Sequence, residues 1–364
     1  MNSIICGAQF GDEAKGLVTS WLCSKTQHPM VVRFSGGPQA GHTVIHNDIR
    51  HVFSNFGSGT LQGVPTLWSK YCPFFHTSYM NELRALQGYG LKSKFFIHPR
   101  CPVTTPFEIL ENRANYSLAM DNGSCGMGVG QTWQREEDHY KLCVQDLFFE
   151  TVLTQKLKHI HSYYSKHPPH QEIMTKFIED CKEVLNFLKL TSLYDISDSY
   201  DLIFEGSQGI LLDQDHGFFP NVTRSNTTSK NALEIIKEAG DLTEYIDIYY
   251  VIRSYQTRHG NGFMTGTSIT IDAPDETNKF NQFQGAFRTT TLDYELLAYA
   301  IKSDMLYHEN FHIRKNLVIT CMDQHKIDIN FLLETLRTRW NIHFENVYTS
   351  YGPRITDIKQ YYNV

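Results

Sequence analysis

The sequence predicts an α/β protein with a mainly parallel central sheet flanked by helices. Three observations carry this. Strand-like apolar runs at residues 3–6, 201–204 and 317–320 each end directly before a glycine-rich or polar turn. Helix-like segments lie between them, at 81–87, 172–188 and 294–301. No internal repeat, low-complexity tract or Pro/Gly/Ser-rich linker divides the 364 residues, which are ample for a large core. A single domain over residues 1–364 with helical insertions is therefore expected, with 159–172 as an exposed connection between helices. Ligands of such sheets bind beyond the carboxyl ends of the strands, and all three turns belong to that class.

The first turn reads Cys6-Gly-Ala-Gln-Phe-Gly-Asp-Glu-Ala-Lys-Gly16 and runs into the apolar helix pattern of residues 17–22. A strand that turns through glycines into a helix offers backbone N–H groups to a phosphate. It is not the ordinary Walker loop, because Lys15 is followed by Gly16 and Leu17 rather than Ser or Thr. Most phosphate loops carry no acid; Asp12 and Glu13 stand inside this one, where an acid is either a metal ligand or a base beside the phosphate. Alone, such a turn serves structure as readily as chemistry. A second segment, Gly36-Gly-Pro-Gln-Ala-Gly-His-Thr43, follows the apolar run 30–34 and adds a histidine, a hydroxyl and further glycines. Asp12, Lys15 and His42 then form a candidate acid/base and phosphate-charge set.

Further along, residues 122–130 hold four glycines and Ser124, which suits an anion-binding loop or an ordinary surface loop. The run Phe204-Glu-Gly-Ser-Gln-Gly209 and its continuation to Asn226 offer Gln208 to a base or carbonyl oxygen and Thr223 to a phosphate; turn formers are equally at home there. Asp323 closes the strand-like run before it, where a carboxylate can accept the N1–H and 2-amino hydrogens of guanine together, although acids close many strands. Ser350-Tyr-Gly-Pro-Arg354 either walls that pocket or is a plain Gly-Pro turn.

Composition excludes several classes. A net charge of −6 gives no electrostatic case for nucleic acid. The 17 histidines show no metal-ligand spacing, and the 8 cysteines form no Cys-x-x-Cys pair, as expected of reduced thiols in the cytoplasm. The start lacks the basic and apolar regions of a signal peptide, and no apolar run approaches the roughly 20 residues of a membrane span. A soluble intracellular protein is expected.

In this order the segments resemble the adenylosuccinate synthetase family. That family reads roughly Gly-x-Gln-Trp-Gly-Asp-Glu-Gly-Lys-Gly, Asn-Ala-Gly-His-Thr, a Thr-Gly-rich loop, Phe-Glu-Gly-Ala-Gln-Gly, Asp-x-Asp-His-Gly, Val-Thr-Ser-Ser-Asn, Thr-Arg-x-Gly, an arginine-rich loop, a Leu-Asp strand end and a C-terminal Gly-Pro. Here these fall at 7–16, 39–43, 123–130, 204–209, 213–217, 222–226, 257–260, 284–293, 322–323 and 352–353. The resemblance implies a nucleotide site related to that of P-loop GTPases and a ligase that joins L-aspartate to C6 of inosine monophosphate with GTP and Mg2+. Asp12, His42, Lys15 and Gln208 would be catalytic. Gly11, Glu13, Ala14, Gly16, Gln39, Gly41, Thr43, Ser124, Cys125, Thr223, Asp323, Gly352 and Pro353 would bind nucleotide or phosphate. Arg288 would hold the amino acid, and Asp12 with the Gly41 carbonyl would hold magnesium. A cytoplasmic homodimer is implied, in the host cytoplasm for a viral chain.

The departures point at the substrates. Trp has become Phe10, the loop's third glycine Ala14, the amide before Ala-Gly-His-Thr the longer Gln39, and the phosphate-loop Thr Cys125. The cation that reaches a neighbouring subunit falls near His139. The arginine-rich loop is reduced to Gln284-Gly-Ala-Phe-Arg288, which suits a weaker grip on aspartate, another amine donor, or a deoxyribose. Cys321-Met322 replaces the lysine before the guanine-reading acid, which leaves ATP open beside GTP. Viral relatives convert deoxyguanylate to its 6-succinylamino derivative, but they tend to replace the loop acid; Asp12 therefore favours inosine monophosphate, with (d)GMP as the alternative. A nucleotide binder without turnover is the alternative of another class.

Overall fold

The computed structural model describes residues 2–114, 126–164, 170–196, 199–240, 245–272 and 286–361. Among these the strands, in chain order, are β1 (Asn2–Gly7), β2 (Pro29–Arg33), β3 (His42–His46), β4 (Ile49–Phe53), β5 (Thr66–Trp68), β6 (Phe95–Ile97), β7 (Lys189–Leu190), β8 (Asp201–Glu205), β9 (Ile246–Arg253), β10 (Tyr255–His259), β11 (Phe287–Thr291), β12 (Ile313–Thr320), β13 (Asn346–Ser350) and β14 (Ile358–Tyr361). Ten of them make one sheet in the order β14-β13-β12-β9-β1-β8-β2-β5-β6-β7. All its pairings are parallel except β13 with β14. The expected fold class holds.

Strand periodicity explains the two covered faces. Along β1, Ile4 and Cys6 enter one core while Ile5 enters the other. Helix α1 (Lys15–Lys25) covers the second face with Val18, Leu22 and Cys23. Helices Lys230–Glu238, Tyr294–Met305 and Ile329–Trp340 cover the first with residues such as Ile236, Leu297 and Leu336. A third core, built on Trp68, Phe74, Tyr79 and Phe95, gathers the helices His76–Gly88, Pro106–Ala114, Glu150–Tyr163 and Gln171–Val184 beside β5 and β6.

Three points of the sequence expectation need correction. Strand β9, wholly buried beside β1, is absent from the sequence reading because Asp247 interrupts its apolar run. That carboxylate is buried and takes Arg314 Nε and Nη2 from β12 at 2.8 and 2.6 Å, a two-point pairing that makes the acid tolerable there. The proposed exposed connection at 159–172 is helical up to Tyr163, and Ile160 and Tyr164 are buried in the third core; residues 165–169 lie outside the described set. The helix expected at 172–188 ends at Val184, and the chain turns into β7.

Strands β1, β2, β8, β9 and β12 are parallel neighbours, so the segments that follow them open on one edge of the sheet.

Candidate active site

The turn after β1 closes on its own acid. Glu13 is fully buried; its Oε1 accepts from the amides of Gln9 (3.2 Å) and Gly11 (2.8 Å), and Oε2 takes Lys15 Nζ at 2.5 Å. The backbone passes through positive φ at Gly11, Asp12 and Ala14 (97°, 62° and 68°). For the two non-glycine residues that conformation costs about 1–2 kcal/mol each. Asp12 is the acid left outward: its side chain is 33% exposed and Oδ2 lies 3.3 Å from His259 Nε2. Burial works to raise this carboxyl, but the hydrogen bond from His259 and the charges of Arg253 and Lys15 outweigh it and hold Asp12 below its ordinary value. Arg253 Nε also donates to the Asp12 main-chain oxygen at 2.5 Å.

His42 opens β3 against the start of α1. A side chain at Gly16 would lie 2.8 Å from His42 Cβ and 2.9 Å from Ser58 Oγ, so glycine is what permits this approach. His42 Nδ1 lies 2.6 Å from Oε1 of Glu205, the last residue of β8. Glu205 also accepts the Ser58 amide at 3.0 Å and the Ser58 hydroxyl. Burial raises Glu205, but His42, Arg33 and Ser58 more than offset it and bring it down to about 2. Burial, with the charges of Arg33 and Lys15, lowers His42 by more than Glu205 raises it. The resting pair is thus a carboxylate accepting Nδ1–H from a neutral imidazole, with the lone pair on Nε2. Sequence reasoning passed over Glu205; its signal is an acid that closes a parallel strand whose neighbouring loops carry a histidine.

The turn after β8 rests directly on the turn after β1. A Cβ on Gly209 would fall 2.1 Å from the Gln9 carbonyl, and Gln208, at φ 60°, backs onto Gly11. Ser207 stitches the same turn to the end of β2, donating its amide to Ser35 Oγ at 2.9 Å and its hydroxyl to Ser35 O at 2.7 Å. Thr223 is half-buried, its amide donating to Leu212 O at 2.8 Å. Its loop is pinned by Asp213, whose carboxylate accepts the amides of Asp215, Thr227 and Thr228. Gly41 is exposed and Thr43 half-buried in β3. Gln39 folds back towards Gly37, and its Oε1 is enclosed without a hydrogen-bond donor among the described residues. Ser124 and Cys125 lie outside the described residues.

The β10–β11 hairpin faces the first turn. Thr257 Oγ1 donates to Gly11 O at 3.4 Å, and the Arg258 guanidinium lies 4.3 Å over the Phe10 ring. Arg258 and Arg288 are cross-strand partners. Burial and then Arg288 lower Arg258 to about 10, and burial lowers Arg288. Both donate to backbone carbonyls, of Phe263 and Asn221 for Arg258 and of Gly262 for Arg288. Neither pairs with a carboxylate among the described residues. At the sheet's other margin Met322 donates its amide to Ser350 O at 3.1 Å, which brings exposed Asp323 to the Gly352-Pro353 turn.

A family model described as adenylosuccinate synthetase matches residues 4–338. The chain belongs to the adenylosuccinate synthetase family. It is 28% identical over 310 residues to the adenylosuccinate synthetase of Buchnera aphidicola subsp. Baizongia pistaciae, covering 80% of this chain and 70% of that protein. It is 29% identical over 306 residues to that of Histophilus somni, covering 77% and 68%. Its fold is similar to fully ligated adenylosuccinate synthetase from Plasmodium falciparum (TM-score 0.75, 15% identity, 98% of this chain and 99% of that one). It is also similar to the cyanophage S-2L succinoaminodeoxyadenylate synthetase bound to dGMP and dATP (TM-score 0.68, 16% identity, 98% and 94%). The protein is accordingly an enzyme, a carbon–nitrogen ligase of the adenylosuccinate synthetase type.

Within that family its departures acquire places. Ala14 occupies a left-handed position that glycine takes without strain. The thinned arginine loop keeps Arg288, and the fold sets it across from Arg258 of the Thr-Arg-x-Gly motif. Near His139, Arg135 is buried against Glu108 and Glu136, and Arg224 reaches Gln134 and Glu137. No helix among the described residues is long and apolar enough to cross a membrane. For the magnesium that the family implies, the part-exposed Asp12 carboxylate and the carbonyl of exposed Gly41 are hard oxygen donors, which fits a cation that shares its shell with phosphates and water.

Proposed function

We propose that the enzyme joins L-aspartate to C6 of inosine monophosphate through a 6-phosphoryl intermediate, with GTP as the phosphoryl donor. The observation that carries this reading is the ionised, outward Asp12, set in one turn with Lys15 and backed by Gln208. Asp12 takes the N1 proton of the purine, so that the 6-oxygen carries negative charge and attacks the γ-phosphate. Gln208 holds that oxygen. Lys15 neutralises charge on the phosphates, and His42 supports the leaving diphosphate; the anion favours a proton on Nε2, with Glu205 stabilising the imidazolium from Nδ1. Magnesium, held by Asp12 and the Gly41 carbonyl, would supply further neutralisation of phosphate oxygens. The amine of aspartate then forms the C6–N bond as the phosphoryl group leaves.

Around these groups Ser124 and Thr223 would bind the 5′-phosphate, and the amides of Ala14 and Gly16 the triphosphate, the Gly11 amide being taken by Glu13. The Gly36–Thr43 segment would wall the phosphates with Gln39 and Thr43. Arg288, with Arg258 beside it, supplies the cations for the carboxylates of aspartate. Asp323 with Gly352 and Pro353 would read the guanine. The family resemblance supports a cytoplasmic homodimer. The test is phosphate release and product mass with L-aspartate, Mg2+ and GTP or ATP, for IMP, GMP and dGMP in parallel. A succinylated product chiefly from IMP is expected. Product chiefly from dGMP would replace IMP as the substrate, and no product from any would overturn the aspartate-ligase reading.

A further inference from the structure

Two turns of the site share one kind of backbone strain and are held by one stretch of chain. Asp12, after β1, and Cys321, after β12, both stand at positive φ (62° and 59°). Their main-chain oxygens are taken by consecutive residues where β9 passes into β10. Arg253 Nε donates to Asp12 O at 2.5 Å, and Ser254 Oγ donates to Cys321 O at 3.0 Å. Resting on the reading that Asp12 serves the monophosphate and Asp323 reads the base of the triphosphate, we propose that Arg253 and Tyr255 are positioning residues that couple the two nucleotides. Through them, a base seated on the turn after β12 fixes the main chain of Asp12.

The link is a directed chain of hydrogen bonds. Arg253 Nη1 donates to the Tyr255 hydroxyl at 2.8 Å, and that hydroxyl gives its one hydrogen to Gln324 Oε1 at 2.6 Å. Gln324 is exposed and directly follows Asp323. The middle of the chain is held firmly. Arg253 and Tyr255 are buried, and the guanidinium lies 5.5 Å over the Tyr255 ring. From the first turn, the Gln9 amide accepts the Arg253 N–H at 2.8 Å and donates to the Tyr255 carbonyl at 3.1 Å. The end open to solvent is Gln324, beside the residue assigned to the base.

A left-handed residue other than glycine persists only where its surroundings over-determine it. A base resting on Asp323 covers Gln324, excludes the water that competes for its oxygen and tightens its bond to Tyr255. The guanidinium is then held from both ends, and Asp12 has less freedom left to lose when the purine arrives. The ordering is done once, by the first nucleotide, and the second binds more tightly. The effect is reciprocal by linkage.

The test is calorimetry with Mg2+ present. It reads the Kd of IMP with and without a non-hydrolysable GTP analogue, and of the analogue with and without IMP. The proteins are the wild type, Tyr255→Phe, Gln324→Met and the double variant. In the wild type each ligand should tighten the other about tenfold. Phenylalanine keeps the ring beneath Arg253 and deletes only the hydroxyl; methionine deletes the acceptor at an exposed position, where folding is not at risk. Each should cut the mutual tightening to about twofold. The double variant should lose no more than either single one, because both remove the same bond. Independent binding in the wild type, tightening that survives either substitution, or losses that add in the double variant would each overturn the link. A tyrosine of purely structural role would lower the unfolding midpoint and leave the tightening intact. Absence of succinylated product would defeat the proposed reaction alone, since the Kd ratios are read without turnover.

Discussion

The turn after β1 and the β10–β11 hairpin face each other but handle charge in opposite ways. In and around the turn every working charge has an internal partner: Lys15 has Glu13, Asp12 has His259, and His42 has Glu205. In the hairpin two guanidiniums stand as cross-strand neighbours, held among the described residues only by carbonyls and an aromatic face. Paired charges are set for chemistry before a ligand arrives, because their orientation and protonation are already fixed. Unpaired like charges are set for binding, because an incoming anion relieves a repulsion that the fold itself leaves standing.

That contrast can be broken by substitution. Asp12→Asn, on the paired side, should lower kcat by about 10²–10⁴-fold while nucleotide binding, read by calorimetry, stays near wild type; loss of binding instead would make Asp12 a ligand-holding group. On the unpaired side Arg288→Met should raise KM for the anionic substrate about 10–100-fold. Its thermal midpoint should equal or exceed that of the wild type, since Arg258 loses a like-charged neighbour. A clear drop in the midpoint would show that Arg288 supports the fold.

Glu205→Gln sharpens the comparison from a residue that touches no substrate. It should reduce kcat about tenfold, because glutamine keeps an acceptor for Nδ1–H but removes the charge that stabilises a protonated His42. Acid unfolding gives an independent reading. Folded Glu205 titrates near 2 against 4.5 for an unperturbed carboxyl, so between those values the unfolded chain binds the extra proton. The stability Glu205 contributes is complete above pH about 4.5 and is lost as pH falls through about 2. The gap in unfolding midpoint between wild type and Glu205→Gln should therefore be widest above 4.5 and narrow below it.

Ala14→Gly should have the smallest effect. It relieves a left-handed backbone of about 1–2 kcal/mol but adds the entropy of glycine, about 0.5–1 kcal/mol. The net gain is about 1 kcal/mol or less, or about 1 °C in midpoint for a chain of this size. A loss of stability would mean that the methyl group packs better than it strains.

Residues whose roles depend on local order were readable in the sequence. The glycines and acids of the first turn, the histidine of the second and the glutamine of the third each follow an apolar strand, and strand-then-turn is a pattern of neighbours. What escaped depends on contacts between distant segments. Asp247 disguised β9 because its partner Arg314 lies 67 residues away. Glu205 looked like an ordinary strand end until β3 placed His42 on it. Arg258 and His259 sat in a motif whose meaning lies in the antiparallel register that sets them beside Arg288 and over the first turn. Glu13 drew notice as a stray acid beside a phosphate site, yet its carboxylate turns inward.

That inward turn has a consequence for how the site fills. The amides of Gln9 and Gly11, which an empty anion cradle would leave to water, already bind a negative group that belongs to the chain. Glu13 thus acts as a built-in counter-ion, and the loop holds its shape without a guest. A triphosphate bound there, as proposed, would not need to organise the backbone; it would have only to compete with Glu13 for the hydrogens of Lys15. Occupancy becomes an exchange of one anion's claim for another's.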